Sequence, residues 1–161
     1  MKIILNEAEQ RLTEYIAKKR IAYHQHREQT VADKYEHWKV TQEETDREGF
    51  GGEIAYCKLV NLYPDLDTNL STPDYDCMSC NGEKIDVKTT KYRNGHLIAT
   101  TNKIKHPPDI YVLVIGTFPE YCIIGEISAS FLLRPENIKD FGMGDTYAVT
   151  QSELTPCLPL Q

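Results

Sequence analysis

Four ionisable side chains lie at alternating positions on either side of one Asn-Gly turn. Asp74 and Asp76 precede the Asn81-Gly82 pair, and Asp86 and Lys88 follow it. Alternate residues of a β-strand point to the same face, so each pair places two charges on one face of its strand. Acids and a lysine brought together from two neighbouring strands could bind both a cation and an anionic substrate.

The length of the turn decides whether the acids of the two strands meet. A two-residue loop, Asn81-Gly82, would put Asp76 and Asp86 on opposite faces of the hairpin. A three-residue loop that also includes Cys80 pairs Asp76 directly with Asp86. Because the apolar residues of both strands must share one core, we predict the longer loop. It is a type I turn with a G1 bulge, and Gly82 has positive φ.

The facing carboxylates of Asp76 and Asp86 then need a positive charge nearby. Two carboxylates about 5 Å apart across a sheet repel each other unless a cation lies between them. Mg²⁺ suits oxygen ligands on rigid strands and shares its remaining coordination with water and substrate phosphate. An acid followed by Asp-x-Lys on the next strand is therefore the pattern that metal-assisted hydrolysis of a phosphodiester requires.

Several short motifs occur here in a defined order. A helix with Gly-Gly-Glu53 precedes the run Pro73-Asp-Tyr-Asp76, which is followed by the Asn81-Gly82 turn and Ile85-Asp86-Val87-Lys88. Together they resemble the core motif of the PD-(D/E)XK nuclease superfamily, over roughly residues 49 to 127. The resemblance implies a restriction-endonuclease-like fold of the α/β (α+β) class. Its central mixed sheet would be flanked by helices and preceded by an N-terminal helical segment.

The resemblance also implies a function and a set of roles. The function is Mg²⁺-dependent hydrolysis of DNA by an endonuclease, leaving a 5′-phosphate and a 3′-hydroxyl. Asp76, Asp86 and Glu53 would bind Mg²⁺, which Mn²⁺ could replace, and the main-chain carbonyl of Val87 would be a further ligand. Lys88 would assist the attacking water. DNA is the implied partner and a homodimer is compatible with it, whereas no membrane and no small-molecule cofactor are expected.

Charge is distributed unevenly along the chain. The formal net charge of −6 argues against a protein that coats nucleic acid through bulk electrostatics. Residues 84–106 nevertheless hold six lysines and arginines against one acid, Asp86. This basic strip could face a polyanion. The candidates to contact phosphate oxygens lie just beyond the acid and lysine motif: Thr89, Thr90, Lys91 and Arg93.

Helical patterns dominate the first part of the chain. Asn6 and Glu9 form a capping-box pair at the start of an amphipathic helix. Val31, Tyr35 and Trp38 predict a second helix, or a kinked extension of the first, that reaches about residue 42. Glycines 49, 51 and 52 interrupt the pattern. A third, largely buried helix is predicted to follow them, with Glu53 in its first turn.

Strand patterns follow from residue 74 onward. The apolar run from Asp109 to Ile115 predicts a central strand buried on both faces, with residues 121–127 as its neighbour. A short helix after Ser128, a loop over residues 135–145 and an edge strand over 146–149 complete the prediction. The order of elements favours a domain with one main sheet.

Size and composition indicate one globular domain. The chain has 161 residues, of which 40% are hydrophobic and 26% charged, which is enough for a single core. We expect one domain over residues 1–161, with a helical segment at 1–45, a nuclease core at 46–130 and a C-terminal extension at 131–161. No apolar run reaches the roughly 20 residues of a membrane span, and the first residues do not predict a signal peptide, so a cytoplasmic location is expected. Five cysteines indicate reduced thiols.

Other readings of these residues remain open at this point. Asp74 could replace Asp76 as the first acid, Asp86 and Lys88 could be a surface ion pair, and Glu53 could stabilise a helix N-terminus. The pair Cys77 and Cys80 suggests zinc only weakly, because no second pair of ligands stands nearby. The whole chain could also be a non-catalytic module that binds nucleic acid or protein, or a nuclease that acts on RNA.

Overall fold

The computed structural model of the chain describes residues 1–27, 42–68, 75–142 and 144–157, with backbone alone for 23–27 and 42. The predicted helix after Val31 and the alternative acid Asp74 lie outside these residues. The described chain is a mixture of helices and strands, which confirms the predicted α/β (α+β) class. Within the described residues, no helix combines the length and apolar character needed to cross a membrane.

Helix α1 spans Glu7–Arg27 and starts where the capping box predicts. The Asn6 side chain accepts a hydrogen bond from the Glu9 backbone N–H at 3.0 Å, and the Glu9 carboxylate accepts one from the Asn6 N–H at 2.6 Å. These two bonds satisfy backbone donors that have no partner within the helix. Ile16 then packs into the same buried cluster as residues of the second helix and of the sheet.

Helix α2 spans Gln42–Val60 and contains all three glycines that were expected to precede a helix. The prediction that Glu53 lies in a first helical turn was therefore wrong. The physical reason is close packing on the sheet. A Cβ on Gly51 would lie 2.1 Å from the Tyr121 hydroxyl, and a Cβ on Gly52 would lie 2.0 Å from Thr89 Oγ1. The close packing of α2 on the sheet that these glycines allow outweighs the roughly 1 kcal/mol that each interior glycine costs a helix.

The main sheet is mixed and has five described strands: β1 (Lys2–Ile4), β2 (Cys77–Met78), β3 (Lys84–Thr90), β5 (Ile110–Thr117) and β6 (Glu120–Ser128). Their order across the sheet is β1-β6-β5-β3-β2. Strands β3 and β5 run parallel, and the other neighbours in this sheet run antiparallel. The predicted central strand and its neighbour are confirmed as β5 and β6.

A second sheet of three described strands lies against the main one. Its order is β4 (Leu97–Thr100), β8 (Asp145–Val149) and β7 (Ile138–Asp140), all antiparallel. The main sheet was expected, but this second sheet was not, and the prediction of a loop over 135–145 was wrong because β7 lies within it. The strand predicted at 146–149 is confirmed as β8, although it is the central strand of this sheet and not an edge strand. The short helix after Ser128 is confirmed as α3, Ala129–Leu132.

Strand β5 separates two hydrophobic cores. Val112 and Val114 pack with helices α1 and α2 on one side. Tyr111 and Leu113 pack with α3 and the second sheet on the other. The near-continuous apolar sequence of β5 thus reflects burial on both faces, as predicted. Because β3 pairs with β5, its alternate residues also face two different sides of the main sheet.

The contact between Gly52 and Thr89 makes a testable prediction for stability. Gly52→Ala should lower the free energy of unfolding by about 1–3 kcal/mol, because the new methyl group collides with a β-branched side chain on the sheet. Gly49→Ala is the matched control. It lies in the same helix, a Cβ there meets nothing within 4 Å, and it should raise stability by up to about 1 kcal/mol. Urea unfolding measures both changes, and equal effects of the two substitutions would contradict the packing argument.

Candidate active site

The turn between β2 and β3 closes with three residues, as the sequence predicts. The Ser79 N–H donates to the Glu83 carbonyl at 2.8 Å, and the Gly82 N–H donates to the Ser79 carbonyl at 2.9 Å. Gly82 has φ of +84°, the left-handed value that a G1 bulge requires. The predicted register is therefore confirmed, with Cys77 opposite Ile85.

The pairing of β2 with β3 ends at Cys77 opposite Ile85, so Asp76 lies just before β2 at the edge of the main sheet. The Asp76 N–H donates to the Ile85 carbonyl at 2.8 Å, which keeps Asp76 against β3 beyond the last paired residue. Its carboxylate then accepts a hydrogen bond from the Val87 N–H at 2.6 Å. Because the N–H and C=O of a strand residue point the same way, the Val87 carbonyl also faces this edge. Asp76 thus terminates the pairing of the two strands and keeps an acid beside β3.

Asp86 is almost fully enclosed and lies between two lysines. Its side chain is on the face of β3 opposite Ile85 and Val87, and the residue is 2% exposed. Lys88 Nζ lies 2.5 Å from Asp86 Oδ1, and Lys103 Nζ lies 3.1 Å from Oδ2. The Lys88 contact lacks hydrogen-bond alignment, so it is an ion pair by proximity. Asp86 and Lys88 are therefore not a solvent-exposed surface pair.

Lys103 was not predicted to belong to the site. The sequence placed it only in the basic strip, and a lysine ahead of two prolines is typical of a solvated loop. In the structure it lies on a 3₁₀ turn, Thr101–Lys105, that directly follows β4. Because β4 was not predicted either, nothing in the sequence indicated that this lysine would lie next to β3.

Glu53 approaches from the opposite side, carried by α2. It is 8% exposed, and its Oε2 lies 3.5 Å from Arg20 Nη1. Arg20 is held in turn by a hydrogen bond from its Nη2 to the Asp65 carbonyl at 3.1 Å. Glu53 is well inside α2, so it does not stabilise a helix N-terminus. Arg20 was not predicted from the sequence, although it continues the buried stripe of Ile16 and Ala17 on α1.

The three acids interact electrostatically. Burial raises the pKa of Glu53 well above its usual range, and the neighbouring charge of Asp76 raises it further, against the opposing effect of Arg20. Burial followed by the charge of Asp86 raises the pKa of Asp76 to about 6, although the Val87 N–H opposes the shift. Acids with raised pKa values in one partly enclosed site are typical of functional sites.

The other predicted phosphate contacts lie just beyond the acids. Thr90 is half-buried, whereas Lys91 and Arg93 are exposed on the loop that follows β3. The Thr89 hydroxyl is buried against Gly52 of α2, so its placement does not support a contact with phosphate. Cys77 is buried in the core while Cys80 is exposed on the turn.

The acids have the donor chemistry of a divalent-cation site. Three carboxylates near one another bind a divalent cation through oxygen, and Mg²⁺ needs only one or two of them. Across the described ranges, no three His, Cys, Asp or Glu residues are already arranged around a common metal position. In this arrangement, lysine ammonium groups lie against Asp86, and the guanidinium of Arg20 lies against Glu53. The carboxylates therefore supply suitable oxygen donors, and basic side chains lie against two of them in this arrangement.

The raised pKa of Asp76 predicts how stability changes with pH. In the folded protein this carboxyl binds its proton more tightly than in the unfolded chain, so the free energy of unfolding falls as pH rises from about 4 to about 6. Asp76→Asn keeps an acceptor for the Val87 N–H but cannot ionise. It should stabilise the protein at pH 7.5 by on the order of 1 kcal/mol, and have little effect near pH 4.5.

Thermal unfolding followed by circular dichroism measures this difference. Asp145→Asn, on an exposed residue, is the control and should have the same small effect at both pH values. A pH-independent effect of Asp76→Asn would contradict the raised pKa.

Comparison with known proteins identifies a family for this chain. Residues 2–121 match a family of unknown function, DUF5843. Neither the curated proteins nor the solved structures include a significant match. The matched residues extend from β1 to the beginning of β6 and include Glu53, Asp76, Asp86 and Lys88. Because they make up about three quarters of the 161 residues, the chain belongs to the DUF5843 family.

Proposed function

We propose that this protein is a Mg²⁺-dependent nuclease that hydrolyses DNA phosphodiester bonds and leaves 5′-phosphate and 3′-hydroxyl ends. The observation that carries the proposal is the position of Asp76 against β3 close to Asp86, with Lys88 on the same face of β3 as Asp86 and in contact with it. Acid, acid and lysine from two adjacent strands form the set that metal-assisted phosphodiester hydrolysis requires.

The proposal extends to the core of the fold. A restriction-endonuclease-like core is supported by the order of the elements around the site. Helix α2 carries Glu53 and packs on a mixed sheet in which the β2-β3 hairpin supplies the acids and β3 runs parallel to β5. The motifs that resemble the PD-(D/E)XK superfamily thus occur on strands and a helix that meet at one edge.

Each residue of the site has a proposed role. Asp76, Asp86 and Glu53, with the Val87 carbonyl, would hold the cation. Mg²⁺, when bound, would offset the negative charge of the scissile phosphate and favour ionisation of the attacking water.

The basic residues would act on the substrate itself. Lys88 stabilises the negative charge that develops on the phosphate, exchanging its contact with Asp86 for one with a phosphate oxygen. Lys91 and Arg93 are placed to contact neighbouring phosphates without reading sequence. Lys103 keeps Asp86 neutralised when Lys88 turns to the substrate.

A cleavage panel tests this proposal. The purified protein should cut DNA in the presence of Mg²⁺ or Mn²⁺. A panel of linear, nicked, circular and single-stranded substrates identifies the preferred form, and cleavage of closed circles would identify an endonuclease. Asp86→Asn should abolish cleavage, and Lys88→Ala should reduce its rate by about 10²-fold or more, because a group that stabilises transition-state charge is lost. Asp145→Asn and Lys19→Ala, on exposed residues away from the site, are the matched controls and should retain the parent rate.

The same panel separates the competing functions. Cleavage of RNA but not of DNA would show that the substrate is RNA and not the proposed DNA. Unchanged cleavage by folded Asp86→Asn protein would contradict the mechanism. Binding of nucleic acid without metal-dependent cleavage of any substrate would favour a non-catalytic binding module.

A further inference from the structure

A cleft of about 470 Å³ lies beside the candidate active site. Lys88 lines it, so the cleft and the acids share a boundary. Leu113 of β5 and Ile98 of β4 give it an apolar lining, and the remaining lining includes Tyr92, His96 and Phe141. The volume falls within the range of small-ligand pockets, which are mostly apolar with a few polar groups that fix orientation. Neither the acids nor the proposed cleavage step uses these aromatic side chains.

The loop that carries Tyr92 is held firmly in place. The Gln151 side-chain amide donates to the Arg93 carbonyl at 2.9 Å and to the Gly95 carbonyl at 3.1 Å. The Gly95 N–H closes the loop by donating to the Tyr92 carbonyl at 2.8 Å. A Cβ at Gly95 would lie only 2.6 Å from Thr90, so the loop packs closely onto the end of β3. These contacts hold the loop backbone that carries Tyr92 against the end of β3.

Aromatic rings are exposed around this cleft. Tyr92 is 64% exposed and Phe141 is 50% exposed, and both line the same cleft. The rings of His96 and Phe141 lie 5.5 Å apart and tilted by 56°. Lys91 Nζ lies 5.7 Å from the centre of the Tyr92 ring. The cleft therefore combines open π-faces with basic side chains.

We propose that this cleft binds an unpaired nucleobase next to the scissile phosphate, and that the substrate is single-stranded DNA. This inference rests on the proposed nuclease function. Aromatic faces bind bases of any sequence by stacking, and basic side chains beside them bind the connecting phosphates. Lys88, Lys91 and Arg93 supply the positive charge that complements a short stretch of backbone.

A duplex fits this surface less well than a single strand. Bases inside a duplex are stacked on one another, so their faces cannot reach Tyr92 or Phe141 unless the strand is unpaired. Extended contact with two backbones would also require more positive charge than a chain with a net charge of −6 presents. Base stacking together with a few phosphate contacts provides affinity for a single strand without that additional positive charge.

Fluorescence anisotropy in EDTA tests the inference without cleavage. The probe is a labelled DNA strand of about 12 nucleotides, alone and as a duplex, together with RNA of the same sequence. The single strand should bind at least about 10-fold more tightly than the duplex. Tyr92→Ala and Phe141→Ala should each weaken its binding by about 5- to 100-fold, whereas Tyr92→Phe should retain it. With about three phosphates contacted, log K should fall with log salt at a slope near −2.

The matched control is Tyr63→Ala, which removes an exposed tyrosine outside this cleft and should not change binding. Equal affinity for single strand and duplex, or unchanged binding by both alanine variants, would overturn the inference. Preference for RNA would overturn the assignment to DNA. Metal-dependent cleavage by a Tyr92→Ala variant with parent affinity would leave the nuclease function standing while the cleft proposal fails. If binding of single strands depends on the Tyr92 and Phe141 rings but the parent protein cleaves no substrate, the cleft proposal stands and the nuclease function fails.

Discussion

The burial of three carboxylates is the constraint around which this edge of the molecule is organised. Removing a charge from water costs several kcal/mol unless an opposite charge lies close to it. Here Asp86 is flanked by Lys88 and Lys103, and Glu53 lies beside Arg20. The pKa of Asp76 is nevertheless raised to about 6, first by burial and then by the charge of Asp86. Under the proposed function, a divalent cation would favour the ionised form of this carboxyl.

Two local features bring the acids together from separate parts of the chain. The three-residue turn sets the strand register, so that Asp76 lies against β3 and close to Asp86. Gly52 lets α2 approach β3 within contact of Thr89, which carries the next residue, Glu53, to the same edge. A two-residue turn would reverse the face of Asp76, and a side chain at residue 52 would move the helix away. The position of the site thus depends on glycines that make no chemical contribution themselves.

The alternation of side chains along strands and the spacing of apolar residues along helices account for what could be predicted from the sequence. Alternation of charged and apolar residues is strictly tied to strand faces, so the register of Asp76 and Asp86 followed from counting. Propensity was less reliable where packing overrides it. Glycines 49, 51 and 52 suggested a break, yet they lie inside α2 because the sheet demands close approach.

The second sheet could not be predicted from local signals for a different reason. Its strand β4, Leu97–Thr100, is short and gains its partner β8 from residues almost 50 positions later. Such non-local pairing leaves little trace in a short window of sequence. Lys103 and the aromatic cleft depend on that sheet, so they became visible only in three dimensions.

The central claim is that the acids share one electrostatic site and that this site binds a divalent cation. Carboxyl ¹³C NMR titration of the intact protein measures it directly, with Asp76 assigned by its loss in Asp76→Asn. The account predicts that Asp76 titrates near pH 6 without metal, and that saturating Mg²⁺ moves its titration to clearly lower pH because the cation favours the ionised form. An Asp76 carboxyl that titrates near pH 4 and does not respond to Mg²⁺ would contradict the account.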